Sequence, residues 1–177
     1  MHRLLLLGFT AMQENPNVLV SNTDYVIKIR INSTEFAKSV IDYGEQVKIN
    51  HKGSSNLSDP ENIVVLECVL RLLRKGYSAD RLELEKTWKL GHKSKGRLDI
   101  LIKDNQDRAF AMVECKTWGQ AYAIERDNTL EDGGQLFSYF VQERNASFLI
   151  LYTSMIGGTE IRYKAEGGLH PKSETKS

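Results

Sequence analysis

The sequence predicts an α/β fold in one domain, a mixed sheet flanked by helices. Two observations carry that expectation. An apolar helical segment, 61–76, precedes three segments that read as strands and follow one another through short turns, 82–90, 98–102 and 109–116. A second helical segment, 134–145, then leads into an apolar strand, 146–154. A chain of 177 residues suits one domain with a real core, and 41% hydrophobic with 27% charged residues is ordinary for a globular protein. The formal net charge is only +1, so any basic surface has to be local.

Each element has its own signal. Residues 1–17 read as a short helix or docking segment closed by the turn QENPN. The run DYVIKIRI, 24–31, alternates and puts Tyr25, Ile27, Ile29 and Ile31 on one face, as a strand does. A short strand follows at 45–50, and these first 50 residues are expected to extend the main sheet as part of the same domain. HKGSSNLSDP, 51–60, is a loop that ends in a helix start, with Ser58 or Asp59 as cap, Pro60 in the first turn and Glu61 after it. The helix runs to a basic last turn, Arg71, Arg74 and Lys75, and Gly76 closes it. LELEKTWKL alternates as a strand, GHKSKGR (91–97) is a basic turn, and KDNQDR joins the next two strands as a hairpin. Residues 119–134 carry no clear pattern, and 161–177 read as a polar tail.

Cys68 and Cys115 lie in apolar runs with no metal-ligand spacing, which predicts two reduced, buried thiols and a cytoplasmic protein. No stretch is long enough to span a membrane, and MHRLLLLGF is too short for a signal-peptide core.

The chemistry starts at VECKTW, 113–118, where a strand otherwise built for burial carries two charges. Glu114 and Lys116 are two apart and share a face. Antiparallel pairing across the 103–108 turn brings Asp99, the single charge in LDILI, beside them. Two adjacent carboxylates resist burial unless something positive compensates, and a hard divalent cation does so with oxygen ligands. Mg²⁺ held there, with Lys116 orienting a water, is the chemistry of phosphodiester hydrolysis. A strand-end salt bridge between Lys116 and one carboxylate is the bland alternative.

RLDILI followed by AFAMVECK resembles the PD-(D/E)XK nuclease signature, Asp then Glu-x-Lys across a hairpin, with Leu98 where the family name has proline. More closely, the chain resembles the N-terminal nuclease domain of the R subunit of type I restriction enzymes, a domain also found fused to N6-adenine DNA methylases. The matching residues are Pro60-Glu61-Asn62, Gly76-Tyr77, Leu84-Glu85, Gly91, Arg97-Leu98-Asp99-Ile100, Glu114-Cys115-Lys116 and Gln135-Leu136-Phe137-Ser138-Tyr139, over roughly residues 40–155. The resemblance implies a restriction-endonuclease-like fold with residues 51–160 as its core. It implies Mg²⁺, with Mn²⁺ able to substitute, on Asp99, Glu114 and the backbone carbonyl of Cys115, and Glu67 on the helix joining through water. It also implies that Lys116 positions the attacking water and that Gln135 and Tyr139 brace the site or touch the DNA.

The substrate implied is double-stranded DNA. Lys93, Lys95 and Arg97 in the basic turn, with Gln135 and Tyr139, are the candidate DNA contacts. The chain has no Walker A loop and is too short for a motor or a methylase, so partners would be a helicase motor, a methylase or a specificity subunit, and a transient dimer would serve double-strand cutting. Two other readings stand beside this one: a non-catalytic docking or DNA-binding module on the same fold, and a repair or junction-resolving nuclease of the same superfamily.

Overall fold

The computed structural model describes residues 1–90, 94–132, 143 and 145–169. Lys93, Gln135 and Tyr139 lie outside the described residues, as does the helix expected over 134–145 apart from its last residues, and the side chain of Lys95 is not described either.

The architecture is mixed α/β with two sheets. A short helix α1 (His2–Leu6) leads into strands β1 (Phe9–Ala11), β2 (Val18–Ser21), β3 (Lys28–Arg30) and β4 (Val40–Asp42). These four pair antiparallel in chain order as a sheet of their own. The expectation that the N-terminal 50 residues extend the main sheet holds for the strand at Lys48–Ile49, which pairs with the main sheet, and is corrected for the four strands before it. Their strands are three or four residues long, and what ties them to the rest is packing. Leu4, Leu7, Phe9, Leu19, Ile27, Ile29 and Ile41 are buried in the same core as the central helix. The alternation read over 24–31 holds where it matters, since Ile27 and Ile29 are fully buried.

The second sheet has six strands. After β5 (Lys48–Ile49) and helix α2 (Pro60–Arg74) come β6 (Leu82–Leu90), β7 (Ser94–Lys103), β8 (Ala109–Cys115), helix α3 (Gln120–Asp132), β9 (Phe148–Gly157) and β10 (Glu160–Leu169). The order is β10-β9-β8-β7-β6-β5, with β8/β9 and β5/β6 parallel and the other pairs antiparallel. Lys95 and Arg97 thus stand in β7 and not in a turn. Residues 161–169, expected in a polar tail, form with Glu160 the ten-residue edge strand of this sheet.

Helix α2 begins where its sequence says. The Asp59 carboxylate accepts the Glu61 N–H at 2.9 Å, Pro60 fills the first turn, and Gly76 takes the left-handed conformation (φ +87°) past the end. Val65, Leu66, Val69 and Leu70 of α2 are buried in one core cluster with the strand residues Val113 and Cys115, and Cys68 of the same helix lies against Cys115. On the other face of the sheet, Met112, Leu101 and Leu151 pack with Tyr122 of α3. β8 is thus covered on both sides, which is why it reads as a continuous apolar run. No described helix is long and apolar enough to cross a membrane.

Candidate active site at the end of the central hairpin

The recorded β7–β8 pairing ends at Ile100 opposite Val113. Just beyond it the Asp99 carboxylate accepts the Cys115 backbone N–H at 2.7 Å in place of a strand partner. A strand residue's N–H and C=O point to the same side, so the Cys115 carbonyl also opens toward Asp99. Lys116 is anchored from β9, its N–H bonding the Tyr152 carbonyl at 2.9 Å. Its ammonium lies 2.6 Å from Glu114 Oε1 and 3.7 Å from Glu61 Oε1. The structure thus brings Asp99, Glu114 and Lys116 together, and adds Glu61 from the first turn of α2.

Burial sets the electrostatics. Glu114 is 2% exposed and Asp99 9%. Removal from water raises both carboxylates well above the usual range, and each is raised further by neighbouring negative charge, Glu114 by Asp99 and both by Glu61. Burial raises Glu61 as well, against the pull of Lys116. On Lys116 burial is the largest influence and acts downward, but the charge and hydrogen bond of Glu114 with the charges of Glu61 and Asp99 together outweigh it, so the ammonium is held in its charged form. One cation thus faces three carboxylates, two of them buried. Among the described residues, Glu114 Oε2 is buried with no hydrogen-bond partner.

Glu67 does not belong to this cluster. It is 1% exposed, and its carboxylate is bound by the Arg71 guanidinium and the Tyr152 hydroxyl. Arg71 in turn reaches the Tyr152 hydroxyl at 2.9 Å and lies 3.7 Å from the Tyr163 ring centre. The reason is helical phase. Six residues along a helix are about 9 Å and about 240° of rotation, so Glu61 and Glu67 face different surroundings. A Glu67→Gln variant is expected to lose about 1–3 kcal/mol of stability, since a buried charged network is broken. Calorimetric Mn²⁺ titration should give the wild-type curve, and a lost titration in a variant of unchanged stability would return Glu67 to the site.

Two further carboxylates, Glu61 and Glu85, stand near the site although the sequence reading gave them no role there. Glu85 is buried on β6 in a left-handed conformation (φ +56°), and its Oε2 lies 2.9 Å from Arg97 Nε. Its charge is felt at Asp99. A Cβ added to Gly53 would meet Glu85 Oε1 at 3.1 Å and an Arg97 nitrogen at 3.3 Å, so the 51–58 loop closes directly over this pair. The Asn62 amide fastens the loop by donating to the Gly53 and Asn56 carbonyls, each at 3.0 Å. Arg97, expected on DNA, is thus engaged with a buried carboxylate. Glu61 and Glu85 both stand in motifs of the resemblance, Pro60-Glu61-Asn62 and Leu84-Glu85, but the sequence reading gave neither a place in the site.

The donor set suits a hard ion. Among the described residues no three His, Cys, Asp or Glu side chains form a ready cage. Asp99, the Glu114 oxygen without a partner among the described residues, and the Cys115 carbonyl are instead oxygen donors, the ligand type that Mg²⁺ takes. No family model matches the chain, and no curated protein matches it.

Proposed function

We propose that this chain is a Mg²⁺-dependent DNA endonuclease domain of a restriction–modification system, with a restriction-endonuclease-like fold, acting on double-stranded DNA in the cytoplasm. The observation that carries the reading is the pair of buried carboxylates, Asp99 and Glu114, with one Glu114 oxygen unpartnered among the described residues and a charged lysine 2.6 Å from the other. A fold gains nothing by burying such a pair with a single ammonium between three acids.

In this reading Asp99, Glu114 and the Cys115 carbonyl would hold the ion. Bound there, Mg²⁺ would polarise the phosphoryl oxygen and offset its developing charge. The Lys116 ammonium donates to the attacking water and holds it in line with the scissile bond. A helicase motor, methylase or specificity subunit would select the target.

The test is relaxation of supercoiled plasmid by purified protein. Nicking is expected with Mg²⁺ or Mn²⁺, and is expected to vanish in EDTA. Nicking that persists without metal, or an intact plasmid under every metal condition, overturns the reading.

A further inference from the structure

Strand β10 is a long, regular, open edge. Its ten residues pair with β9 without a bulge, from Glu160 opposite Gly157 to Leu169 opposite Phe148. Among the described residues no strand pairs with its outer side. Natural sheets normally shorten, twist or cover such an edge, because its free N–H and C=O groups template another strand.

The two-residue connection, Gly158 and Thr159, closes on the Gly157–Glu160 pair, so even-numbered residues of β10 bond inward. Ile161, Tyr163, Ala165 and Gly167 then turn their N–H and C=O groups outward. The even-numbered side chains carry charges of both signs, Glu160, Arg162, Lys164 and Glu166. Lys164 and Glu166 share the α3 side of the sheet, where Lys164 lies 5.0 Å from the Trp118 ring centre and Glu166 acts on Tyr122.

We propose that β10 is a self-association edge, on which a second copy of this chain pairs antiparallel about a two-fold axis at Ala165. Register decides the choice of partner. With the axis at Ala165, Lys164 of each copy meets Glu166 of the other, twice by symmetry, at the closer-spaced non-hydrogen-bonded positions. Tyr163 meets Gly167, whose missing side chain leaves room for the ring. An axis at Tyr163 sets Glu160 against Glu166 and Arg162 against Lys164, and axes at Arg162 or Lys164 set that residue against itself. Of these registers only the one at Ala165 opposes no like charges.

The arrangement deepens the endonuclease reading and rests on it for its use. Ala165 lies opposite Tyr152, and Tyr152 opposite Cys115, so the axis is in line with the candidate site. Five interstrand steps separate Cys115 of one copy from Cys115 of the other, roughly 24 Å before twist. An axis perpendicular to the sheet keeps both sites on the same face. The two strands of a duplex are themselves related by such an axis, so two single-site copies would meet both strands.

Sedimentation over a range of protein concentrations tests the edge itself. The wild-type chain should show a concentration-dependent dimer. Lys164→Glu and Glu166→Lys should each weaken it roughly tenfold or more while far-ultraviolet dichroism stays native. An equimolar mixture of the two variants should dimerise again, because both cross pairs are then of opposite charge. Both variants should still nick plasmid but convert less of it to linear product. A wild-type chain that stays monomeric, or a dimer indifferent to both reversals and to mixing, overturns the proposal. Association that follows this pattern in a protein without nuclease activity would keep the edge and remove the endonuclease reading.

Discussion

Lys116→Ala is expected to lower plasmid nicking by roughly 10²–10⁴-fold, the range for loss of one positioned proton-transfer or charge-stabilising group. The ammonium is held charged, 2.6 Å from Glu114 and 3.7 Å from Glu61. It therefore serves as a hydrogen-bond donor and a local charge, not as a free base. Removing it leaves Asp99, the Cys115 backbone and the unpartnered Glu114 oxygen in place, so Mn²⁺ binding should survive and should tighten if anything, since a competing cation has gone. The strand should also survive, because Lys116 enters the sheet through its backbone bond to Tyr152. Activity lost together with metal binding would make Lys116 a structural prop. Full activity in the variant would remove it from the chemistry.

Much of the site was legible because strand geometry is local. Alternation fixed Glu114 and Lys116 on one face, and a short hairpin fixed Asp99 beside them, so no knowledge of the rest of the chain was needed. The cap at Asp59 and the stop at Gly76 were legible for the same reason. The choice between Glu61 and Glu67 was not, because it depends on which end of α2 meets the hairpin, and that is settled by packing far along the chain. Glu85 was in view as part of the Leu84-Glu85 motif, but its place beside Asp99 was not, because its left-handed backbone breaks the alternation a strand pattern assumes. β10 was missed because an edge strand exposed on both faces has no apolar periodicity to show, and Tyr163 is itself 48% exposed. α3 sat in a stretch without pattern because, of its described side chains, Tyr122 alone stands in a core cluster. The N-terminal sheet was misplaced because three-residue strands carry too little pattern to name their partners.

Asp99→Asn should separate the needs of the site from the needs of the fold. The amide oxygen can still accept the Cys115 N–H, so the hairpin end keeps its bond. Mn²⁺ binding should fall below detection in a calorimetric titration, and nicking with it, because the remaining anionic ligand is Glu114 alone. Stability in EDTA should move the other way. Burial, first of all, raises the Asp99 pKa in the folded chain. A carboxyl whose folded value is raised favours folding while both states are protonated. That contribution is lost as pH climbs from the ordinary carboxylate range through the folded value. Asparagine has no proton to lose. The melting temperature of the variant should therefore match the wild type at low pH and exceed it increasingly toward neutral and mildly alkaline pH, by the equivalent of about 1–2 kcal/mol. Equal melting curves for the two proteins across that range would mean that Asp99 carries no burial strain. A stabilised variant that still binds Mn²⁺ as tightly as wild type would show that the strain serves something other than a cation.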